Sequence, residues 1–314
     1  MDKNMRNSGE YFVSLAPHIR SGDTVQRIML DVIIALVPAA IASVYFFGFY
    51  SLAILAVAIL SCVGSEYVFQ KLMHKPSQIG DLSAVVTGIL LAFNVPAQAP
   101  LWMVAFGGIF AIIIVKECFG GIGGNFMNPA LAARVMLMAS WPKYMTTYLD
   151  PAGMTGATPL QILKSGTGEL PQLADMATGN IGGVIGETCA IALLLGGIYL
   201  IIRKVIDWRT PVVYILATAI FLMILGIKPD MIPYEVLGGG LMLGAFFMAT
   251  DYSSSPMTKK GRLIFALGAA FVTALIRAKG GMPEGVSYSI LLMNVCTPLI
   301  DKLTVGEAYG PKKA

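Results

Sequence analysis

The chain is dominated by long apolar runs separated by short polar breaks. Ten runs lie near residues 29–49, 51–70, 82–96, 100–116, 126–140, 182–202, 211–227, 233–250, 262–277 and 286–300. A bilayer core is about 30 Å thick and takes about 20 apolar residues to cross as a helix, fewer where the span is enclosed by protein. Each run therefore predicts a membrane helix. The third, fifth and tenth are short, and several carry Pro or Asn at an end. The expected fold is an all-α membrane protein of about ten transmembrane helices, arranged as two inverted five-helix repeats.

The repeat is read from the order of features. The stretch from Thr87 and the stretch from Leu243 share one order. Each has an apolar run, a break with Pro or Ser, a Gly/Ala-rich span, a basic residue, a GG-containing loop and a short final helix. With five spans per unit, the second copy enters the membrane upside down, and such repeats place their sites near the pseudo-twofold interface. Apolar spans resemble one another in any case, but the shared position of the glycine loop favours a true repeat. The expected divisions are an N-terminal segment 1–28, a first repeat 29–140, a long loop 141–181, a second repeat 182–300 and a tail 301–314.

Charge sets the orientation. With the N-terminus cytoplasmic, sixteen Lys and Arg fall on that side and five on the other, with Arg134 inside the fifth span. The positive-inside rule then puts both termini in the cytoplasm and the 141–181 loop on the outer face of the membrane. No cleavable leader is expected, because residues 1–28 are polar and mixed and the first apolar run continues into further spans. Aromatic residues near span ends, among them Tyr45, Trp102, Trp141 and Trp208, read as an interfacial belt.

Composition agrees and excludes several functions. Of 314 residues, 56% are hydrophobic and 13% charged, with a mean hydropathy of +0.73. That is too little polar surface for a water-soluble globule. The net charge of +4 sits in loops between spans, so no nucleic-acid partner is indicated. Four scattered cysteines (Cys62, Cys118, Cys189 and Cys296) lack the clustering of a zinc or iron–sulfur site, and two histidines do not suggest paired haem ligation. No metal site is expected.

Chemistry concentrates at a few positions. In the long loop, Thr155-Gly156-Ala157-Thr158 precedes Pro159 and Leu160. Thr before Pro is ordinarily a turn or a helix N-cap. A hydroxyl at a helix start also lies where free N–H groups and the dipole favour a phosphate. Asn125 and Asn128, three apart, could share one helix face and present amides to a polar heterocycle; equally, Asn128 before Pro129 could simply cap a helix. Asp31, Glu66, Glu187, Glu235 and Asp251 lie in or near spans. Intramembrane acids suggest function, and Asp31 and Glu187 are the better ion-path candidates. Arg134 needs an acid or a phosphate as partner, unless it snorkels to the interface.

Ser14–Ala39 (SLAPHIRSGDTVQRIMLDVIIALVPA), GNFMNPALAARVML, FMATDYSSSPMTKKGRLIFALG, IRAKGGMPEGVSYSILLMN and TPLID together resemble the RnfD/NqrB family over nearly the whole chain. In that family the Thr closing an S/T-G-A-T sequence carries FMN, attached through its phosphate by a flavin transferase. The resemblance implies that Thr158 is the covalent site and that Thr155, Gly156 and Ala157 complete the motif. It also implies a riboflavin near Asn125 and Asn128. The chain departs from the pattern at Ala152, where an acidic residue is usual; Asp150 lies two residues earlier.

The implied function is that of a membrane core subunit in an Rnf-type translocase, inactive alone. Other Rnf subunits would handle ferredoxin and NAD, while this chain relays electrons coupled to Na⁺ or H⁺ movement. An NqrB-like subunit of a Na⁺-translocating NADH:quinone oxidoreductase is the nearest alternative. A solute channel or transporter built on inverted repeats is another, and the TGAT loop argues against it.

Overall fold

The computed structural model describes residues 23–150, 155–166, 168–187 and 189–306, without the side chain of Thr155. The chain is mostly helical. Helices α1 (Val25–Phe47) and α2 (Phe49–Leu72) form a hairpin about Gly48, whose φ of 74° ends one helix and starts the next. α1 starts where the Thr24 hydroxyl accepts from the Arg27 N–H. Then come α3 (Ser83–Phe93), α4 (Leu101–Phe119) and α5 (Pro129–Ser140). The following loop holds strands β1 (Tyr148–Leu149) and β2 (Thr155–Gly156) and the short helices α6 (Pro159–Ser165) and α7 (Leu173–Thr178). The second half is α8 (Ala190–Ile202), α9 (Arg209–Ile224), α10 (Pro229–Leu237), α11 (Leu241–Met248), α12 (Lys259–Lys279) and α13 (Val286–Thr304).

Helix occupies part of every apolar run, but not every helix is a full span. Among the described residues α1, α2, α4 and α12 are long and apolar enough to cross a membrane, and α10 with α11 makes a fifth if the bent pair counts as one. α3, α5, α8 and α9 are shorter apolar helices. Exposed Ile41, Phe49, Leu60, Ile202, Ile224 and Leu299 give the outer surface the apolar character of a lipid-facing wall. The protein is a multi-pass membrane protein.

Two stretches differ from the sequence expectation. The run 233–250 is not one straight span: α10 and α11 meet at 64° across Gly238, Gly239 and Gly240. Three glycines in a row supply the backbone freedom for the bend and cost helix propensity. The run 182–202 is helical only from Ala190. Before it, Val184 bridges Pro96 and Gly183 bridges Leu149, while the Ile185 and Gly186 N–H groups donate to Val95 O (3.2 Å) and Phe93 O (2.9 Å). This extended stretch ties the end of α3 to the second half.

The core runs through both halves, from Leu36, Ile54, Leu91 and Phe93 to Leu241, Phe247, Phe265 and Ile290. α3 lies at its centre, with every residue but Val85 buried. It approaches α2 so closely that a Cβ on Gly88 would stand 2.7 Å from Ile59 Cα, the small-residue contact that brings helices together in lipid.

Candidate functional site

Thr158 caps α6. Its hydroxyl oxygen accepts from the Gln161 N–H (3.3 Å) and the Gln161 side chain accepts from the Thr158 N–H (3.0 Å), a reciprocal capping box. Thr158 is half-buried and Ala157 exposed, while Pro159 and Leu160 are buried. Thr155 and Gly156 pair antiparallel with Leu149 and Tyr148. Asp150 lies against the motif: a Cβ on Gly156 would meet its Oδ2 at 2.5 Å. Ala152 falls outside the described residues. At the far end of α6, Lys164 Nζ donates to Ile276 O (3.2 Å) and Met282 O (2.5 Å), fastening the loop to the end of α12. Burial lowers the Lys164 pKa, with Glu235 pulling it back up.

Leu160 rests on the glycine break, 3.3 Å from where a Gly238 Cβ would stand. Just beyond it lies a buried polar cluster drawn from both halves. Arg134 of α5 donates through Nη1 to Asn94 Oδ1 (2.7 Å) at the end of α3 and through Nη2 to Glu284 in the loop before α13. Glu187 Oε1 lies 3.6 Å from Arg134 Nη2. The Gly240 N–H donates to Glu284 Oε1 (2.7 Å). Arg277 of α12 pairs with Glu235 Oε2 (3.3 Å) and also donates to the Glu235 and Gly238 carbonyls. Such buried pairs contribute little net stability, but removing one partner costs about 3–5 kcal/mol.

A matching crossing uses neutral groups. Asn294 of α13, with its amide oriented to satisfy both ends, accepts from the Asn128 N–H (3.0 Å) and donates to Ser254 O (3.1 Å). Arg134 thus links the end of α3 to the loop before α13, and Asn294 links the stretch after α11 to the loop before α5. α5 and α13 contact each other here, and the two bridges sit at opposite ends of that contact.

Asn128 is the N-cap of α5, its Oδ1 accepting from Ala130 N (3.1 Å) and Leu131 N (3.2 Å). Asn125 Nδ2 donates to Met127 O (3.1 Å). Both asparagines line a cavity of about 740 Å³ shared with Ser83, Lys116, Asp251 and Thr297. Lys116 at this edge bonds Glu66 (2.7 Å) and Ser83 Oγ (2.6 Å), and Gln70 joins Glu66 to Glu117.

The expected site residues fall into three places. Thr158 with its motif, and Glu187, lie near the Arg134 cluster; Asn125 and Asn128 lie at the cavity. Asp31 joins neither: it accepts from Tyr199 Oη (2.9 Å) and Arg203 Nη2 (3.1 Å), tying α1 to α8. Glu187 sits in a turn before α8, its N–H donating to Val184 O (3.0 Å), rather than within a membrane helix. Sequence reasoning misses Glu284, whose loop offers no amides; the signal for it is an acid in the second glycine loop, facing an Arg with no local partner.

Fold and site define a class: a helical membrane protein whose halves are joined by buried polar bridges beside a tethered loop. The chain belongs to the NQR2, RnfD, RnfE family, whose model matches residues 12–310. It is 52% identical to the D subunit of the Na(+)-translocating ferredoxin:NAD(+) oxidoreductase complex of Acetobacterium woodii, over 96% of each chain. Identity is 44% to the D subunit of the proton-translocating ferredoxin:NAD(+) oxidoreductase complex of Clostridium ljungdahlii, over 96% of this chain and 97% of that one. It is 35% to the D subunit of the ion-translocating oxidoreductase complex of Yersinia enterocolitica, over 96% and 99%.

Proposed function

We propose that the chain is the membrane core subunit of an Rnf-type ion-translocating ferredoxin:NAD oxidoreductase, carrying FMN as a phosphoester on Thr158. Its relatives are named as the D subunits of such complexes over nearly their full length, which favours this reading over an NqrB-like subunit or a solute transporter. The observation that carries the flavin assignment is Thr158 itself. It is a half-buried hydroxyl at the head of α6, held by the capping box, with exposed Ala157 beside it.

The residues fit the group. An ester oxygen still accepts, so the Gln161 N–H keeps its partner after esterification. A flavin transferase would install it, and Asp150 against Gly156 supplies the acid that Ala152 lacks. FMN supplies reversible electron transfer when bound. The chain's contribution is placement: β1–β2 and Lys164 hold the loop, and Leu160 seats it beside the Arg134 cluster.

The finer architecture belongs to the same proposal. Ten membrane segments in two inverted repeats are supported by the paired bridges of Arg134 and Asn294. Cytoplasmic termini and an outward-facing flavin loop follow from the Lys and Arg count. The cavity at Asn125 and Asn128 is within the roughly 300–1,000 Å³ of small-molecule sites and would take a non-covalent riboflavin. Because Asn128 Oδ1 is committed to its helix, recognition there falls to its NH₂ group.

The test is protein made with a flavin transferase, run on a denaturing gel and viewed for flavin fluorescence, with the Thr158 peptide weighed. Fluorescence and an FMN-phosphoryl mass that disappear in Thr158→Ala are the expected result. A dark wild-type band with an unmodified peptide overturns the assignment.

A further inference from the structure

The Arg134 cluster contains one carboxylate oxygen too many. Glu187 is 7% exposed, and its Oε1 accepts no hydrogen bond among the described residues. The nearest cationic atom, Arg134 Nη2, is 3.6 Å away and already donates to Glu284. Arg134 Nη1 is committed to Asn94. Glu187 and Glu284 both crowd Gly240: a Cβ there would lie 2.7 Å from Glu284 Oε1 and 3.3 Å from Glu187 Oε1. The two carboxyl groups thus converge on one glycine and share one guanidinium, Arg134 Nη2. Two ionised carboxylates cannot hydrogen-bond, since each only accepts.

The groups facing Glu187 come from every element around it: Glu284 before α13, Arg134 from α5, Arg277 from α12 and Tyr148 from β1. Arg277 is held by Glu235. With Arg277 and Lys164 both directed at Glu235, Arg134 alone is shared by Glu187 and Glu284 in a buried setting, where an uncompensated charge costs several kcal/mol. A metal cation at Glu187 Oε1 would sit against the Arg134 guanidinium. A proton is opposed by the same guanidinium, but it bonds covalently, removes the buried negative charge and turns Glu187 into a donor to Glu284.

The geometry points to a proton-binding site in which Glu187 and Glu284 hold one exchangeable proton between them. The site lies beside the Thr158 loop, because Leu160 packs on Gly239, next to the Gly240 that both acids face. Added negative charge on a flavin at Thr158 tightens the hold on that proton, and its removal loosens it. This coupling rests on the flavin reading; the proton site does not.

Infrared spectroscopy of the assembled, purified complex tests both. The oxidised complex shows a protonated-carboxyl C=O band that moves in D₂O. In Glu187→Gln that band loses one carboxyl's worth of area, and in Glu187→Asp it persists at a shifted frequency, which keeps the test open if the glutamine variant fails to assemble. Thr158→Ala keeps the resting band but loses its shift in the reduced-minus-oxidised spectrum. Identical carboxyl bands in wild type, Glu187→Gln and Glu187→Asp overturn the proton site. A resting band that ignores reduction in the flavin-loaded wild type overturns the coupling. A wild type without flavin sinks the flavin reading while the resting band still reports on Glu187.

Discussion

The two ends of the α5–α13 contact carry the same kind of bridge and finish it differently. At one end a guanidinium, Arg134, joins Asn94 to Glu284, with Leu160 packed on the adjoining glycine break. At the other an amide, Asn294, joins Ser254 to Asn128, and the adjoining space is a cavity of about 740 Å³. Pulling charged partners apart inside a low-dielectric core is expensive, whereas exchanging amide hydrogen bonds costs about 1 kcal/mol each. The charged end is a clamp, and the neutral end is where a ligand or a movement is accommodated.

The sharpest way to break this comparison is Arg134→Ala. It strands Glu284 and Glu187 and should cost about 3–5 kcal/mol, seen as a large drop in the unfolding temperature of the detergent-solubilised complex. Asn294→Ala should cost about 1–3 kcal/mol, from the buried Asn128 N–H left without its acceptor, while the Ser254 carbonyl keeps the Thr297 hydroxyl (2.9 Å). Equal losses in the two variants would mean that the charged bridge is no stronger a clamp than the neutral one. Asn128→Ala removes a helix cap worth about 0.5–2 kcal/mol, and it should lower the riboflavin recovered per complex on acid extraction. Unchanged riboflavin in that variant would move any such ligand away from the cavity. The smallest effect belongs to Arg203→Gln. Its pair with Asp31 is 41% exposed on the Arg side and should be worth under about 1 kcal/mol, falling further in high salt.

Much of the helical layout was legible because hydrophobic length is a coarse, robust signal: every apolar run contains helix. What failed locally did so at glycine. The Gly238–Gly240 bend and the extended stretch through Gly182, Gly183 and Gly186 are set by which backbone groups the neighbours present, here Val95 O and Phe93 O, and a hydropathy pattern does not encode those. At the candidate site, Thr158 as a helix cap followed from Thr-Pro-Leu-Gln, whose Gln161 completes the box three residues on. The need of Arg134 for an acid was also legible. That Glu284, 150 residues away, would meet it was not, because the pairing depends on how the two halves cross.

The depth of α3 has a consequence for biosynthesis. At eleven residues it is about 16 Å long, roughly half the hydrocarbon thickness. With all but Val85 enclosed by protein, it has almost no surface to offer lipid. A segment so short gives the insertion machinery little reason to release it sideways as a unit. Packing against α2 and α4 rather than contact with lipid holds it in place, so its insertion is expected to depend on those neighbours.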